Sequence, residues 1–460
     1  MATKVVPVLR FAMLARLVML LCLSFALVAR PALAQSVLRD AETEALFRDM
    51  ARPLIQAAGL RPENVEIVLI GSNEVNAFVA GGQRIYFFSE LLTTADTANE
   101  VQGVIAHELG HITGGHIVRS AEGMQAATSI SILSLLLGAA ALAAGAGDAG
   151  MGILAAGQQA ALGKYLAFSR VQENSADQAG AQFLHKAGIS GRGSLSFFKK
   201  LQNQEFRLAI PQEDSYGRTH PLTGERLAAL EHLYQADPAW DRPSDPAIEA
   251  RFQRVRAKLF GYMKDPQRTL NQYPETDRSV PARYARAYAW HKRAYPDKAA
   301  AEIDALLATA PRDPFFLELK GQILLESGKP REALESLRLA VAQAPDQPLI
   351  AGLLGHALIA TEDESNFEEA KRVLRTAVAR DNSNPFAWYQ LGIVYDRQGD
   401  HARASLATAE RYNLEGQSRL ALLSAEQAMG GIPAGSVDWL RAQDIAMVAR
   451  SAVEKERKNR

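Results

Sequence analysis

Cysteine is almost absent from this chain, since Cys22 is the only one among 460 residues. A single thiol cannot close an intramolecular disulfide, so a disulfide-stapled fold is excluded. Zinc sites built from several thiolates are excluded for the same reason. Cys22 also lies in an apolar stretch near the N-terminus that we expect to be cleaved off. Any nucleophile or metal ligand in the mature protein must therefore be something other than a thiolate.

An excess of charge of either sign is also lacking, with 51 basic and 51 acidic residues. The first 34 residues contain no acid and four basic residues, namely Lys4, Arg10, Arg16 and Arg30. The rest of the chain then has 47 basic against 51 acidic residues, a net charge of −4. Nucleic-acid binding normally depends on a basic surface, which this balance does not favour. We therefore expect no nucleic-acid partner.

The same 34 residues have the pattern of a secretory signal. A basic start precedes an apolar run from Leu17 to Val28, and Ala32-Leu33-Ala34 offers a small-x-small cleavage site before Gln35. A run of about twelve apolar residues is shorter than the ~20 needed to span a bilayer, which favours cleavage over a retained anchor. Leu20-Leu21 before Cys22 lacks the small residues of lipid-attachment sites, which disfavours a lipoprotein. We expect an exported, periplasmic protein, because export without disulfides fits that compartment.

The most informative stretch is His107-Glu108-Leu109-Gly110-His111. Residues four apart on a helix project from the same face, so His107 and His111 can each give a neutral nitrogen to a tetrahedral Zn²⁺. Glu108 stands beside the first ligand, where its carboxylate can take a proton from an activated water. The sequence predicts a helix over 98–113 with one zinc per chain and Glu108 as general base.

Zinc needs a third protein ligand, and two known patterns predict different residues for it. One pattern requires a histidine six residues after His111, but that position is Ile117 and His116 comes one residue early. The other pattern takes a glutamate from a later helix. Glu173 and Asp177 are four residues apart and share a helical face, so one can bind metal while the other orients a ligand or substrate.

The segments around these motifs predict a mostly helical α+β domain over 35–240. An amphipathic helix is predicted over 38–60 and a short strand over 66–70. A hairpin with a Gly81-Gly82 turn is predicted over 76–88, which gives a small antiparallel sheet. Such a sheet can hold an extended substrate by adding its backbone to an edge strand.

Residues 130–157 form an apolar, alanine- and glycine-rich segment. Gly138, Gly145, Gly147 and Gly150 interrupt it, with Asp148 in the middle, which favours two short helices over one transmembrane helix. We expect an apolar hairpin that either plugs the active site or makes peripheral contact with a membrane surface.

The C-terminal half contains an internal repeat. Pro238, Pro243 and Pro246 mark a shift in composition, and linker helices are expected over 241–279. Small residues then recur with a period of 34 as Ala287, Gly321 and Gly355, as Ala299 and Ala333, and with Pro311 and Pro345. A last copy, with Gly392 and Ala404, is displaced by three residues, which matches an insertion around 361–366. This period predicts an all-α tetratricopeptide solenoid over 280–418, followed by capping helices and a tail over 419–460.

The combined motifs resemble a known peptidase family. His107-Glu108-x-x-His111 followed by Glu173-Asn174-x-Ala176-Asp177 is similar to the family of the CaaX prenyl proteases and the membrane heat-shock protease HtpX. Asn76-Ala77-Phe78 also resembles that family, and the exported, tetratricopeptide-bearing branch is the best match. The resemblance implies an α+β zinc metallopeptidase domain in which the three zinc ligands are His107, His111 and Glu173, with Glu108 as general base.

The resemblance also implies roles for three further residues. Asp177 matches a position regarded as a proton donor or ligand-orienting residue. His220, in Thr219-His220-Pro221, is expected either to assist the oxyanion or to cap the zinc as a fourth ligand and keep the enzyme latent. Arg226 is expected to pair with nearby acidic groups or with the transition state.

The function that the resemblance implies is that of a periplasmic zinc endopeptidase with chaperone-like properties. Its expected partners are unfolded or misassembled outer-membrane proteins, and the β-barrel assembly machinery bound through the tetratricopeptide groove. The alternative is a largely latent tetratricopeptide chaperone or adaptor. A membrane-integrated prenyl-type protease is disfavoured by the short signal and by the lack of several long apolar spans.

Overall fold

The computed structural model describes residues 36–143, 146–208, 220 and 223–458. The predicted signal peptide over 1–34 lies outside this range, as do Thr219 and Pro221 on either side of His220. The chain from Leu38 onward forms one unit.

The N-terminal part contains a small mixed sheet. Its strands are β1 (Val37–Leu38), β2 (Glu66–Ile70), β3 (Ala77–Ala80) and β4 (Arg84–Phe88). The predicted hairpin is confirmed, because β3 and β4 are antiparallel and both turn glycines have positive φ. The prediction of an antiparallel sheet is wrong, since β2 runs parallel to β4. The strand rich in large apolar residues, β4, takes the position between β2 and β3 and buries Ile85 and Phe87 completely.

Nine helices are described around and after this sheet. They are α1 (Ala41–Ala57), α2 (Ser89–Thr94), α3 (Ala98–Thr113), α4 (His116–Ala143), α5 (Gly147–Ala187), α6 (Arg192–Leu208), α7 (Gly224–Gln235), α8 (Pro246–Met263) and α9 (Pro266–Gln272). The side chain of Thr97 caps α3 by accepting a hydrogen bond from the backbone N–H of Glu100. Every residue from Ala98 to His111 is buried, so α3 is the central helix of the domain.

Helices α3 and α5 cross at backbone contact distance. A Cβ atom on Gly110 would lie 2.5 Å from the carbonyl oxygen of Ala176, and one on Gly180 would lie 3.0 Å from the carbonyl group of Ala106. Any larger residue at these positions would push the helices apart. The two glycines therefore let the motif of α3 face Glu173 on α5.

The apolar segment 130–157 forms the outer part of a helical hairpin. The expected two helices are present, but they are long rather than short, with 28 residues in α4 and 41 in α5. They pack closely through small residues, because Gly138 faces Leu154 and Gly157 faces Ser134. Gly138 and Gly150 lie inside these helices, where the helical hydrogen bonds continue across them, whereas Gly147 and Asp148 stand at the start of α5.

The core of the N-terminal domain extends into the segment that was expected to be a linker. Phe252, Val255 and Leu259 on α8 are buried in the same cluster as Leu46, Met50 and Val104. Helix α8 thus lies within the range 241–279 but packs as part of the domain core.

The C-terminal part is a solenoid of helix pairs. Its helices are α10 (Val280–Lys292), α11 (Pro296–Thr309), α12 (Pro314–Glu326), α13 (Pro330–Gln343), α14 (Pro348–Ala360), α15 (Phe367–Arg380), α16 (Pro385–Arg397), α17 (His401–Leu414), α18 (Ser418–Gly431) and α19 (Val437–Lys458). Five of these begin at a proline and α10 has Pro281 as its second residue, and in the first turn the missing N–H of proline costs no helical bond. The repeated small residues have a packing role, since Gly321 touches Leu337 and Gly355 touches Leu374 of the paired helix. The predicted fold class is confirmed apart from the sheet.

The start of α1 is inserted between the domain core and the solenoid. Ala41 is buried with Leu317, Ala340 and Ile350 of the solenoid. Glu42 is 1% exposed and accepts a 2.8 Å hydrogen bond from the hydroxyl of Tyr284 on α10. The carboxylate of Glu42 also forms ion pairs with Arg254 and Lys258 on α8. These contacts fix the solenoid to the N-terminal domain.

We expect Glu42→Ala to lower the free energy of unfolding by about 2 kcal/mol, because the buried hydroxyl of Tyr284 loses its acceptor and the buried ammonium of Lys258 loses one of its carboxylate partners. Thermal and urea unfolding measure this effect. Glu63→Ala, at an exposed acid, is the control and should leave the melting temperature unchanged. Equal melting temperatures for both variants would contradict a stabilising role of the junction.

Candidate metal centre

Four side chains from three parts of the fold converge on one point. His107 and His111 come from α3, Glu173 comes from α5, and His220 lies shortly before α7. One potential ligand atom of each residue lies within 4.8 Å of the other three, and all four residues are buried. No other such group occurs among the residues that the structure describes.

The distances between these atoms fit a small divalent ion. The Nε2 atom of His107 is 3.1 Å from Nε2 of His111 and 3.2 Å from Nδ1 of His220. The carboxylate oxygens of Glu173 lie 3.1 Å from His220 Nδ1, 3.3 Å from His111 Nε2 and 3.4 Å from His107 Nε2. Bonds of ~2.1 Å to tetrahedral zinc give edges of roughly 3.4 Å between ligand atoms. The donor set and its size therefore fit zinc, with two or three imidazoles and one carboxylate.

The remaining atoms of the ligand rings are held by neighbours. The Nδ1 atom of His107 donates to Oδ1 of Asp177 at 2.9 Å. Arg226 donates to both oxygens of Asp177, at 2.7 and 2.9 Å, and also lies 3.2 Å from Glu173. Because both carboxylate oxygens of Asp177 accept hydrogen bonds, the geometry favours the ligand-orienting role over proton donation.

His220 is oriented by the sheet. Its Nε2 atom donates to the backbone carbonyl of Ala77 on β3 at 3.2 Å, which turns Nδ1 towards His107 and Glu173. His220 thus contacts both the ligand cluster and the strand at the edge of the sheet.

The charge balance of the cluster also favours a cation. Three buried carboxylates, Glu108, Glu173 and Asp177, face one guanidinium, Arg226. Burial lowers the pKa of His107, but hydrogen bonds to Asp177 and Glu173 outweigh it and raise the pKa to about 10. Burial raises the pKa of Glu173, but His220 and the other imidazoles hold it well below its usual range. A divalent ion can supply the positive charge that protons otherwise bring to this site.

Glu108 is fully buried, and neither of its carboxylate oxygens has a hydrogen-bond partner among the described residues. Its nearest charged neighbour is His220, whose Nε2 lies 3.6 Å from Oε1. Buried carboxylates are rarely left without a partner unless they have a function. The position beside the ligand cluster suits a general base that receives its hydrogen bond from a water molecule.

His116 has a position that the sequence analysis did not identify. It is 5% exposed, and its Nδ1 lies 2.9 Å from Nδ1 of His111. The turn that brings it there needs Gly115, which has φ of +62°, and Gly114, where a Cβ would collide with the His116 ring. His116 can therefore accept a hydrogen bond from His111 as Asp177 does from His107. The Gly-Gly-His sequence after the motif is the signal that could have indicated it.

The structure thus brings together all seven residues that the sequence analysis selected. They are His107, Glu108, His111, Glu173, Asp177, His220 and Arg226. Their individual roles in metal binding and catalysis stay predictions.

Known proteins with similar sequences are peptidases. Residues 37–234 match the family described as Peptidase family M48. A relative from Yersinia pestis, named beta-barrel assembly-enhancing protease, is 26% identical over 386 residues, which cover 81% of this chain and 76% of the relative. A protease HtpX homolog from Syntrophobacter fumaroxidans is 28% identical over 234 residues, covering 48% of this chain and 78% of its own.

A solved structure similar to part of this chain is that of YrrB, a tetratricopeptide protein with an unusual peptide-binding site. The similarity covers 39% of this chain and 92% of YrrB, with a TM-score of 0.32 and 19% identity. At so low a score, the tetratricopeptide assignment rests instead on the helix pairs and the 34-residue period.

These comparisons confirm the resemblance predicted from the motifs. Residues 37–234 match Peptidase family M48, and together with the relatives named as proteases this match indicates a metalloprotease whose C-terminal part is a tetratricopeptide-like helical solenoid. A metal ion is the cofactor that this family implies, and the buried His/Glu group fits it.

We expect His116→Ala to weaken metal binding about 10- to 100-fold, because His111 loses the acceptor that fixes its ring. Competition with a chromophoric chelator measures the dissociation constant. His116→Asn, which can still accept a hydrogen bond, should restore part of the affinity. His185→Ala, at an exposed histidine of α5, is the control. Unchanged affinity in His116→Ala would contradict the orienting role.

Proposed function

We propose that this protein is a periplasmic zinc endopeptidase that degrades misassembled outer-membrane β-barrel precursors. The observation that carries this proposal is the buried cluster of three imidazoles and Glu173 with the unpartnered carboxylate of Glu108 beside it. The relatives named beta-barrel assembly-enhancing protease support the substrate class. The basic and apolar N-terminal 34 residues support export.

His107, His111 and Glu173 would hold the zinc. Zinc in such a site supplies Lewis acidity, which polarises a peptide carbonyl and lowers the pKa of water towards ~7. Glu108 then removes a proton from the attacking water and transfers it to the nitrogen of the leaving amine. Asp177, held by Arg226, keeps His107 in the tautomer whose Nε2 faces the metal. The burial of the cluster excludes bulk water and strengthens each of these interactions.

An unfolded substrate suits the surroundings of this cluster. Strand β3 lies at the edge of the sheet, next to α3, so that an extended peptide can add to it as a further strand. On the solenoid, Phe386 and Tyr389 of α16 are 43% and 45% exposed. Exposed aromatic side chains on one helix of the solenoid can bind apolar residues of an unfolded chain or of the assembly machinery.

We expect Glu108→Gln to abolish peptide hydrolysis while retaining about one zinc per chain, because the amide cannot accept the proton but stands outside the ligand set. Glu173→Ala, by contrast, should lose both the zinc and the hydrolysis. Metal analysis and cleavage of an unfolded outer-membrane barrel protein measure the two effects. Glu122→Gln, at an exposed position of α4, is the isosteric control. Normal cleavage by Glu108→Gln would exclude it as the base.

His220 supports a second proposal, that the resting enzyme is latent. Its Nδ1 fills the fourth corner of the ligand cluster, and its Nε2 donates to the Ala77 carbonyl at the sheet edge. His220 then occupies the corner of the cluster where the attacking water would bind. It also occupies the Ala77 carbonyl, which would otherwise accept a hydrogen bond from the substrate backbone. Displacement of His220 would free them together.

We expect His220→Ala to raise hydrolysis of a short peptide several-fold with zinc retained, because three ligands still hold the metal. Steady-state kinetics and metal analysis check this result. A fall in kcat with zinc retained would instead assign His220 to stabilising the oxyanion, the other role that the sequence resemblance implies.

The alternative function is that of a tetratricopeptide chaperone or adaptor whose peptidase is mostly latent. Because His220 fills the fourth corner of the cluster, this latent form is favoured over an enzyme that is always active. Expression of Glu108→Gln in cells that lack the protein separates the two functions. Rescue of outer-membrane assembly by this variant supports the chaperone, and failure of rescue supports the protease.

A further inference from the structure

The outer part of the α4–α5 hairpin exposes apolar side chains on all sides. Among its large residues, Ile132, Leu133, Leu135, Leu136, Leu137 and Met151 are 53 to 64% exposed. Consecutive residues such as Leu135, Leu136 and Leu137 point in different directions around the helix. A groove on a protein partner would cover only one face of such a helix and would leave the apolar side chains on its other faces exposed.

Within the described residues, one helix is long and apolar enough to cross a membrane, over 116–141. A core helix of a soluble protein can have the same composition, but such a helix is mostly buried. Here only 11% of the apolar stretch is buried. The segment also lies far from the N-terminus, so it is not a signal sequence. No other described part of the chain covers this stretch.

The polar side chains of the outer part of α4 are satisfied without water. The hydroxyls of Ser129, Ser131 and Ser134 donate to the carbonyls four residues earlier, at 2.9, 3.1 and 2.8 Å. Serine side chains bond in this way inside transmembrane helices, where no water is present. These serines therefore do not prevent transfer of the hairpin into hydrocarbon.

The position of the first polar groups along α5 sets the depth of insertion. Gln158 and Gln159 are exposed, and Lys164 and Tyr165 follow within about two turns. From Gly147 to Gln159 the helix rises about 18 Å, compared with ~30 Å for the hydrocarbon core of a bilayer. Tyrosine and lysine are typical of the headgroup level. The apolar part of α5 is thus long enough to enter a bilayer but too short to cross it.

We infer that the α4–α5 hairpin inserts into a lipid bilayer as a re-entrant anchor. The end at which α4 stops and α5 begins lies deepest, and Gln158, Gln159 and Lys164 lie at the headgroup level. This inference rests on the proposed location in the periplasm, but it does not require the protein to be an active protease. The one unfavourable group is Asp148 in the first turn of α5, whose charge opposes burial of the six large side chains.

Anchoring of this kind would set the height of the metal centre. Glu173 lies on the same continuous helix as the anchor, 14 residues beyond Gln159. The rise of ~1.5 Å per residue places it about 21 Å along the helix axis from the headgroup level. The enzyme would therefore act on chains that emerge close to a membrane surface.

The test uses the purified Glu108→Gln protein, so that hydrolysis cannot affect the result. Flotation with vesicles of phosphatidylethanolamine and phosphatidylglycerol measures binding. We expect Leu133→Asp/Leu136→Asp to reduce binding at least about tenfold, and Asp148→Asn to increase it several-fold, because the substitutions add or remove buried charge. Leu420→Asp/Leu423→Asp, at exposed leucines of the solenoid, is the matched control and should bind like the parent protein.

Depth is measured with a tryptophan at Leu136 and lipids brominated at defined positions along the acyl chain. We expect strongest quenching by bromine deep in the acyl chain, and no quenching of a tryptophan at Leu423. Zinc content of each variant shows that the fold is intact. Binding that is equal in all variants, or headgroup-level quenching alone, would overturn the inference. Dimerisation through the hairpin without lipid would also overturn it, in favour of a second copy as the occupant. None of these outcomes bears on the Glu108 mechanism.

Discussion

The close crossing of α3 and α5 is the contact on which the rest of this structure depends. Gly110 against Ala176, and Gly180 against Ala106, bring the two backbones together without intervening side chains. Only at this separation can Nε2 of His111 lie 3.3 Å from a carboxylate oxygen of Glu173. The glycine inside the histidine motif is therefore part of the metal centre, although it binds nothing itself. Helix packing sets the distance, and the ligand chemistry follows from it.

A second constraint is the excess of negative charge that this crossing buries. Three carboxylates and one guanidinium cannot be stable together in a dry interior without further positive charge. Protonated imidazoles, as reflected in the raised pKa of His107, or a divalent ion can provide it. The same arrangement that binds the metal thus makes folding and metal binding interdependent.

Helix α5 and the junction at Glu42 connect this centre to the rest of the molecule. One end of α5 belongs to the apolar hairpin and the other carries Glu173 and Asp177, so the position of the anchor and that of the metal are joined by one rigid element. The solenoid is held to the domain core through Glu42, Arg254 and Tyr284. Substrate capture, membrane position and hydrolysis can then be arranged in a fixed geometry.

Much of this protein was determined by its sequence alone. The facing histidines of α3, the acidic pair Glu173 and Asp177, and the helix pairs of the solenoid all follow from local periodicity, because helix geometry fixes which residues share a face. His220 and Arg226 were found only through family resemblance, since no periodic pattern links them to α3. Tertiary structure alone decided the parallel pairing of β2 with β4, the place of α8 in the core and the contact of His116 with His111. These depend on which surfaces meet across long stretches of chain, and side-chain patterns within one element do not specify that choice.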